Sequence, residues 1–462
     1  IVNRSLADWL HSCNCSDFLP LRRFRSEGIS RHVDNCSIKC SYDFSGEWVM
    51  VKQKSGIIKR ILKDHFDGFW KIHSMRFPQQ YRKDIEETVQ KAIRCGTTDL
   101  GYSRYECLGC EGNPKPVFVC FTCKSRFCHK CGKKYTDDWS DKQQEMIFNV
   151  PHRHMVFTVP KELRNIFFQD RKKLNELSKK VSEVFQFYYR RKSKKRDLQV
   201  GIITVIHTFG RDLKFNPHIH ALVTEGAIDN KNEWVSSDFI PYEYLRKSWQ
   251  KVLLDSTKQW FPNNQAVLKL INELYQRYPK GFYVNAEQKM RDAKGAAKYI
   301  GRYLARPAVA EYRIEEYDGK TVRFWYEDHT TKKRVDEALP VYKFLFNLIQ
   351  HISPKHFRMV GRFGLYSRRS YQRAKNVLDL YSFMRTKQLS MLLVSKKKRK
   401  SYRQRMIEAF DNDPFKCPYC HRQMDLVEIW HADYGFLYHY MEDMECIKTG
   451  RKYVNVQKQR AG

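Results

Sequence analysis

No stretch of this 462-residue chain reaches 18 consecutive apolar residues, which excludes an ordinary membrane-spanning helix as an organising element. Ile1–Asp8 hold no long apolar run either, so a secretory leader is not expected and an intracellular protein is. No G-x-x-x-x-G-K-[ST] loop is present, which leaves the chain without a recognisable nucleotide-driven motor. Acidic residues are scarce relative to basic ones: 51 Asp and Glu stand against 85 Lys and Arg, a formal charge of +34 at pH 7. A surplus of that size attracts polyanions and releases their counterions on binding, so nucleic acid is the implied partner class. The 14 cysteines are clustered as close pairs beside Lys and Arg, which reads as metal binding rather than a disulfide framework.

The length allows two to four structural units, and 42 % hydrophobic residues fit a folded protein. The 27 Tyr and 29 Phe supply core and also rings able to stack on unpaired bases. Residues 57–94 show helical spacing, with Ile57, Ile58, Ile61, Leu62 and Phe66 on one stripe. Strands are expected at His154–Pro160, Val200–Phe209, Pro217–Thr224 and Phe282–Asn285, and helices at Lys161–Tyr189, within 241–259 and 265–278, and at Lys289–Leu304. Val309–Ile314 and Thr321–Tyr326 flank Asp318-Gly319, a hairpin signal. This alternation predicts an α+β domain built on an antiparallel sheet. Lys396–Lys400, reading KKKRK, is a solvated contact patch or linker.

Cys107-Leu-Gly-Cys110, Cys120-Phe-Thr-Cys123 and Cys128-His-Lys-Cys131 place three CxxC pairs in one short block. Each such turn brings two soft sulfurs to one ion, and Zn²⁺ accepts four of them tetrahedrally. A ribbon-like loop closed by Cys107, Cys110, Cys128 and Cys131 is the preferred set, with Cys123 able to replace one member. Cys123 with Cys95, Cys120 or His129 is the alternative second site. Lys124 and Arg126 on this loop are candidates for phosphate contact. Cys417-Pro-Tyr-Cys420 opens a small C-terminal unit, with His421, His431, His439 and Cys446 as candidates to complete a zinc site there. Cys13, Cys15, Cys36 and Cys40 could add a further metal site, although their spacing is irregular.

The sharpest chemical feature is Phe215-Asn-Pro-His218-Ile-His220. On a strand, residues two apart share a face, so His218 and His220 would present two imidazoles together while Ile219 packs behind them. His207, on the preceding strand, is a third metal ligand if the hairpin register brings it opposite. Glu225, Glu287 and Gln288 are further candidates to ligate or to orient a histidine. Downstream, Tyr299 and Tyr303 stand four apart, on one face of the expected helix, with Lys298, Arg302 and Arg306 around them. A phenol is a weak nucleophile, with a pKa of about 10. Beside a metal that polarises a phosphate it becomes competent for in-line attack.

Taken together, HTFGRDLKFNPHIHALVTEG, YIGRYLARPAVAEYRI, FLFNLIQHISPKHFRMVGRFGLYSRR and the block ending CKSRFCHKCG resemble the HUH single-strand transposases of the insertion-sequence 91 type and the related common-region elements. The resemblance spans about residues 60–370; Cys120 and His129-Lys130 depart from the family pattern. It implies an HUH-nuclease domain with a central antiparallel sheet and flanking helices, plus zinc-binding and basic accessory regions. The corresponding organisation is an N-terminal basic and cysteine-containing region (1–56), a helical zinc-binding DNA-recognition domain (57–140), the nuclease (141–335), a basic helical region (336–400) and a small C-terminal zinc unit (401–462). The implied activity is site-specific nicking and rejoining of single strands through a 5′-phosphotyrosine on Tyr299 or Tyr303, in a rolling-circle-like manner. The resemblance further implies Mg²⁺ or Mn²⁺ at His218 and His220, and Zn²⁺ at structural sites. Its partners would be single-stranded or locally unpaired DNA at element ends and target, with supercoiling, a hairpin, replication or a host helicase to open the duplex. A cytoplasmic, nucleoid-associated monomer or homodimer is expected. The competing readings are a plasmid replication or relaxation initiator with the same nicking chemistry, and a noncatalytic zinc-dependent nucleic-acid-binding protein with both tyrosines buried.

Overall fold

A computed structural model describes residues 56–112, 114–132, 145–192, 197–237, 241–290, 308–328, 331–386 and 415–441, with isolated positions between these segments and before 415. In chain order the strands are β1 Gly101–Glu106, β2 Val117–Cys120, β3 His152–Thr158, β4 Gln199–Phe209, β5 Phe215–Ile228, β6 Trp234–Ser236, β7 Val284–Met290, β8 Ile314–Tyr317, β9 Thr321–Glu327, β10 Arg334–Pro340, β11 Val360–Gly364, β12 Asp425–His431 and β13 Gly435–His439. The helices are α1 Ile57–His73, α2 Gln79–Ile93, α3 Arg164–Gln169, α4 Lys172–Lys192, α5 Tyr242–Trp260, α6 Gln265–Arg277, α7 Val341–Ile349 and α8 Arg368–Thr386. Among the described residues, no helix is long and apolar enough to cross a membrane.

The chain forms two compact units, one drawing on residues 89–131 and the chain beyond 396, the other on 61–88 and 132–395. The first holds an antiparallel sheet in the order β13-β12-β1-β2. Its two middle strands come from opposite parts of the chain and pair from Gly101 with His431 to Glu106 with Asp425. Leu100, Phe121 and Ile429 form the small core beneath it. Gly101 has φ +121°, and a Cβ there would lie 2.6 Å from the Trp430 carbonyl oxygen. Only glycine lets the two strands meet at that point.

The second unit is built on an antiparallel sheet in the order β11-β4-β5-β3-β7, with β6 added beside β5. Strict alternation divides its side chains between two faces. Met155, Phe157, Ile202, Ile206, Ile219, Ala221 and Val223 pack against Leu177, Val181 and Phe185 of α4 and Trp249 and Leu253 of α5. On the reverse face, Ile203, Val205 and Leu222 pack under Leu365, Tyr366 and the α8 residues Ala374 and Leu378. Farther along, that reverse face turns from apolar residues to histidines. A separate sheet, β10-β9-β8, supplies Phe324 to stack edge-on against Phe344 of α7.

The expected charged helix at 161–189 is broken. Asp170 adopts an extended conformation (φ −134°, ψ 99°), and its Oδ1 accepts the Lys172 amide at 3.0 Å. That side-chain bond starts α4 afresh, as a short polar residue does when it competes with the helix ladder. Pro217 lies inside β5 rather than at its start. The β4–β5 ladder shifts between His207 and Phe209, so Pro217 falls at a bulge where its missing donor costs little. Lys289 and Met290, expected to begin a helix, end β7 instead. Of the remaining expected helix only Gly295 is described. The hairpin at Asp318-Gly319 forms, but a 3₁₀ turn over Glu311–Arg313 replaces the start of its first strand, and β10 adds a third.

Two imidazoles, His152 and His351, tie the second unit to pH. His152, with no exposed surface, has Nδ1 2.7 Å from the Val150 carbonyl and Nε2 2.8 Å from the Tyr366 hydroxyl. Burial pushes its pKa down to about 4 and that of His351 down to about 3. Both are therefore neutral in the fold and protonate more readily when unfolded. The stabilisation they lend is complete above about pH 6.5 and is lost as pH falls toward those depressed values. Urea unfolding at pH 7.5 and pH 4.5 should show a lower stability at the acid value, with a loss on the order of 2 kcal/mol from His152 alone. Equal midpoints at the two pH values would contradict it.

Candidate metal centres

The β4–β5 hairpin decides the first centre. Its ladder places His207 opposite His218 and Val205 opposite His220. All three histidines therefore project from the reverse face, beyond the apolar cover. One nitrogen from each of His207, His218 and His220 lies within 4.8 Å of the others. Ring centroids are 5.4 Å apart for His207 and His218, 4.6 Å for His207 and His220, and 4.9 Å for His218 and His220.

The protonation states suit a cation. Nδ1 of His218 lies 2.7 Å from the Asn216 carbonyl oxygen, which only accepts, so Nδ1 carries the proton and Nε2 keeps a lone pair. Burial pushes the His218 pKa down to about 4, against the opposing pull of that carbonyl. A neutral imidazole with a directed lone pair is the form that binds a divalent ion. His207 and His220 are 3 % and 5 % exposed. Three converging imidazoles, two of them buried and His218 partly so, thus fit a metal.

Glu225 lies on the helix-packed side of β5, where its Oε1 takes the Arg153 guanidinium at 2.6 Å, so it does not ligate with His218 and His220. The odd spacing from His220 turns it to the opposite face. Glu287 and Gln288 belong to β7, beside the register shift that faces the stretch from Arg153 to Met155. Tyr299, Tyr303, Lys298, Arg302 and Arg306 lie outside the described residues. A fourth imidazole, His154 of β3, is buried against His220, where the sequence marks only the start of a strand.

The first unit carries two four-cysteine clusters, and they correct the expected zinc set. Cys95, Cys123, Cys128 and Cys131 form one, and Cys107, Cys110, Cys417 and Cys420 the other. Cys107 and Cys110 therefore do not share an ion with Cys128 and Cys131. None of His421, His431 and His439 completes the C-terminal pair, and Cys446 lies outside the described residues. Cys120 sits in β2 opposite Tyr102 and joins neither cluster. The physical reason is sheet order. Pairing of β1 with β12 carries the knuckle that follows Glu106 to the knuckle that precedes Asp425.

Sulfur separations test whether zinc fits. They are 3.5 Å for Cys95 and Cys131, 3.7 Å for Cys123 and Cys131, 3.4 Å for Cys107 and Cys420, and 3.9 Å for Cys110 and Cys417. A tetrahedral Zn²⁺ with bonds of roughly 2.3 Å sets its sulfurs about 3.8 Å apart. Disulfides would need about 2.05 Å, and all eight cysteines are free. Lys124 (φ 52°) and His421 (φ 58°), each following the second cysteine of a knuckle, take left-handed backbone. In the first cluster, contacts from the Cys128, Cys131 and Cys95 side chains drive the Cys123 thiol far above its ordinary range. Four thiolates cannot coexist there without a compensating cation. Lys124 is exposed and Arg126 partly exposed beside this cluster.

Residues 201–374 match a family model described as "Putative transposase". Residues 61–159 match one described as "Transposase zinc-binding domain". The chain is 33 % identical over 356 residues to the transposase for insertion sequence element IS801 of Pseudomonas savastanoi pv. phaseolicola, covering 74 % of this chain and 83 % of the relative. It is 23 % identical over 382 residues to "Putative transposase y4qJ" of Sinorhizobium fredii, covering 77 % and 94 %. No solved structure matches. The zinc-domain match includes Cys95–Cys131 but stops well short of Cys417 and Cys420.

Metal analysis of the zinc-loaded protein should return about two zinc ions per chain, one for each four-sulfur set. Cys417→Ser with Cys420→Ser should remove one ion and leave the other, as should Cys95→Ser with Cys123→Ser. An unchanged zinc count in the Cys417/Cys420 variant would overturn the second ligand set.

Proposed function

The chain belongs to the transposases of the insertion-sequence 91 type, and we propose that it nicks one DNA strand at an element end by direct attack of a tyrosine on the phosphodiester. Family membership carries the coarser statement: this is a DNA-cleaving and strand-transferring enzyme that binds the ends of its element. The finer reading rests on one observation, the convergence of His207, His218 and His220 at one end of an antiparallel sheet.

In this reading the fold is of the HUH type, and the three imidazoles hold a divalent cation. An all-nitrogen set favours Mn²⁺ over Mg²⁺, which prefers oxygen ligands. The bound ion supplies charge stabilisation to the non-bridging phosphate oxygens. Tyr299 or Tyr303 contributes the phenolic oxygen. As it bonds to phosphorus, the bond from phosphorus to the 3′ oxygen breaks. The phenolic proton passes to solvent or a base, and the departing oxygen takes up a proton. The products are a 5′-phosphotyrosine and a free 3′-hydroxyl, and the retained ester keeps the strand end reactive for rejoining. Two tyrosines four residues apart would let one site handle two ends in turn.

The basic residues Lys298, Arg302 and Arg306 would hold phosphates near the tyrosines, and Lys124 and Arg126 would contact DNA from the zinc unit. Both four-cysteine clusters take zinc in this reading and act structurally. The substrate is single-stranded or locally unpaired DNA, opened by a hairpin, by supercoiling or by a host helicase, which places the protein with the nucleoid. A family shared with transposases disfavours the replication or relaxation initiator.

Incubating the protein with a labelled single-stranded element end and Mn²⁺ should yield a denaturation-resistant adduct that peptide mapping assigns to Tyr299 or Tyr303. The double variant Tyr299→Phe, Tyr303→Phe should form none. His218→Ala should lower the rate of adduct formation by roughly 10²–10³-fold, the scale of losing an electrostatic stabiliser. Full adduct yield in the double variant would reject the tyrosine assignment.

A further inference from the structure

His154 stands on β3 diagonally across from His220, since the ladder pairs His154 with Leu222 and Val156 with His220. It has no exposed surface. Its Nε2 lies 2.9 Å from Nδ1 of His220, and the two rings are 17° from parallel with centroids 5.0 Å apart. We propose that His154 is a positioning residue for the metal centre, accepting the Nδ1 proton of His220 and holding its ring plane.

The argument follows from proton accounting. One proton lies between two nitrogens, and it can belong to either. With the proton on Nδ1 of His220, His154 accepts through Nε2, and Nε2 of His220 presents its lone pair toward His207 and His218. With the proton on Nε2 of His154, Nδ1 of His220 becomes the acceptor. The single ring proton of a neutral His220 then sits on Nε2, where it blocks ligation. Metal binding thus requires His154 to be the acceptor and to carry its own proton on Nδ1.

His218 meets the same need differently, because the Asn216 carbonyl at 2.7 Å from its Nδ1 can only accept. A carbonyl is unambiguous; an imidazole is not. A packing role alone would need the ring of His154 but not its acceptor nitrogen. The near-parallel stack also fixes the plane of His220, and with it the direction of the lone pair. Outer partners of metal-bound histidines commonly act this way, and losing one weakens metal affinity roughly 10–100-fold.

This inference rests on the reading that His207, His218 and His220 hold the ion. Mn²⁺ affinity of the zinc-loaded, full-length protein, measured by electron paramagnetic resonance, separates the two. His218→Ala should abolish the site; unchanged Mn²⁺ binding in that variant sinks the reading itself. His154→Phe keeps a ring in the stack but removes the acceptor, and should weaken Mn²⁺ binding roughly 10–100-fold. His154→Gln restores an acceptor near the same place and should recover most of that loss. DNA adduct formation by His154→Phe should be rescued by raising Mn²⁺, and its unfolding midpoint without Mn²⁺ should stay close to that of the parent. Wild-type Mn²⁺ affinity in His154→Phe, with Mn²⁺ binding still lost in His218→Ala, overturns the inference and leaves the metal site standing. Should His154→Phe fail to fold, His154→Gln decides alone: affinity within about threefold of the parent supports the role of an acceptor, and a loss as deep as that of His220→Ala refutes it.

Discussion

The register of the β4–β5 hairpin is the constraint on which the histidine centre depends. Side chains alternate along a strand, so a slip of one residue would send His207 to the helix-packed face and leave His218 and His220 without it. The turn that sets this register is held from outside. Leu213, fully buried with φ 61°, offers its carbonyl to Nε2 of Gln350 at 3.1 Å and Nε2 of His351 at 3.0 Å. The Thr208 hydroxyl donates to Nδ1 of His351 at 3.1 Å. Arg171, half a sandwich over Phe215 at 4.4 Å, donates to the Gln350 carbonyl at 2.6 Å. Residues just past α7 therefore grip both the turn and the end of β4. The strained Leu213 persists because several partners over-determine it.

The reverse face of the large sheet has two characters along one set of strands. Where Ile203, Val205 and Leu222 project, α8 and Tyr366 cover them. Where His207, His218 and His220 project, the cover gives way to imidazoles. Gly364, at φ 58°, lets the strand β11 end tight against β4: a Cβ there would lie 1.8 Å from the Val200 carbonyl oxygen. Burial around His218 itself pushes its pKa down to about 4, and a neutral ring is what a cation requires.

The first unit solves a different problem. Its core is small, with Leu100, Phe121 and Ile429 at its centre, and such a core alone contributes little stability. Two sets of four sulfurs supply what the core cannot. The set joining Cys107 and Cys110 to Cys417 and Cys420 bridges segments more than three hundred residues apart, and linking distant points removes more freedom from the unfolded chain than linking near ones. The Arg104 guanidinium, 3.2 Å from Glu428, and the Tyr102 hydroxyl, 2.5 Å from the same carboxylate, knit β1 and β12 between the clusters.

Local pattern alone identified the two imidazoles of His218-Ile219-His220, because period-two alternation makes their shared face inevitable on any strand. It also marked each CxxC knuckle, the strands β3, β4 and β5 to within a few residues, the basic character and the family. Tertiary structure decided which distant pieces meet. The choice of His207 depended on hairpin register, and the gathering of Cys95 with Cys123, Cys128 and Cys131 depended on how a lone cysteine folds back over its neighbours. The union of Cys107 and Cys110 with Cys417 and Cys420 depended on β1 pairing with β12, and the contact of His154 with His220 on the diagonal between β3 and β5. Sequence names His207 and Cys95 among several candidates but does not choose them, because a residue's near neighbours set where its side chain points, while sheet order and register set what it points at.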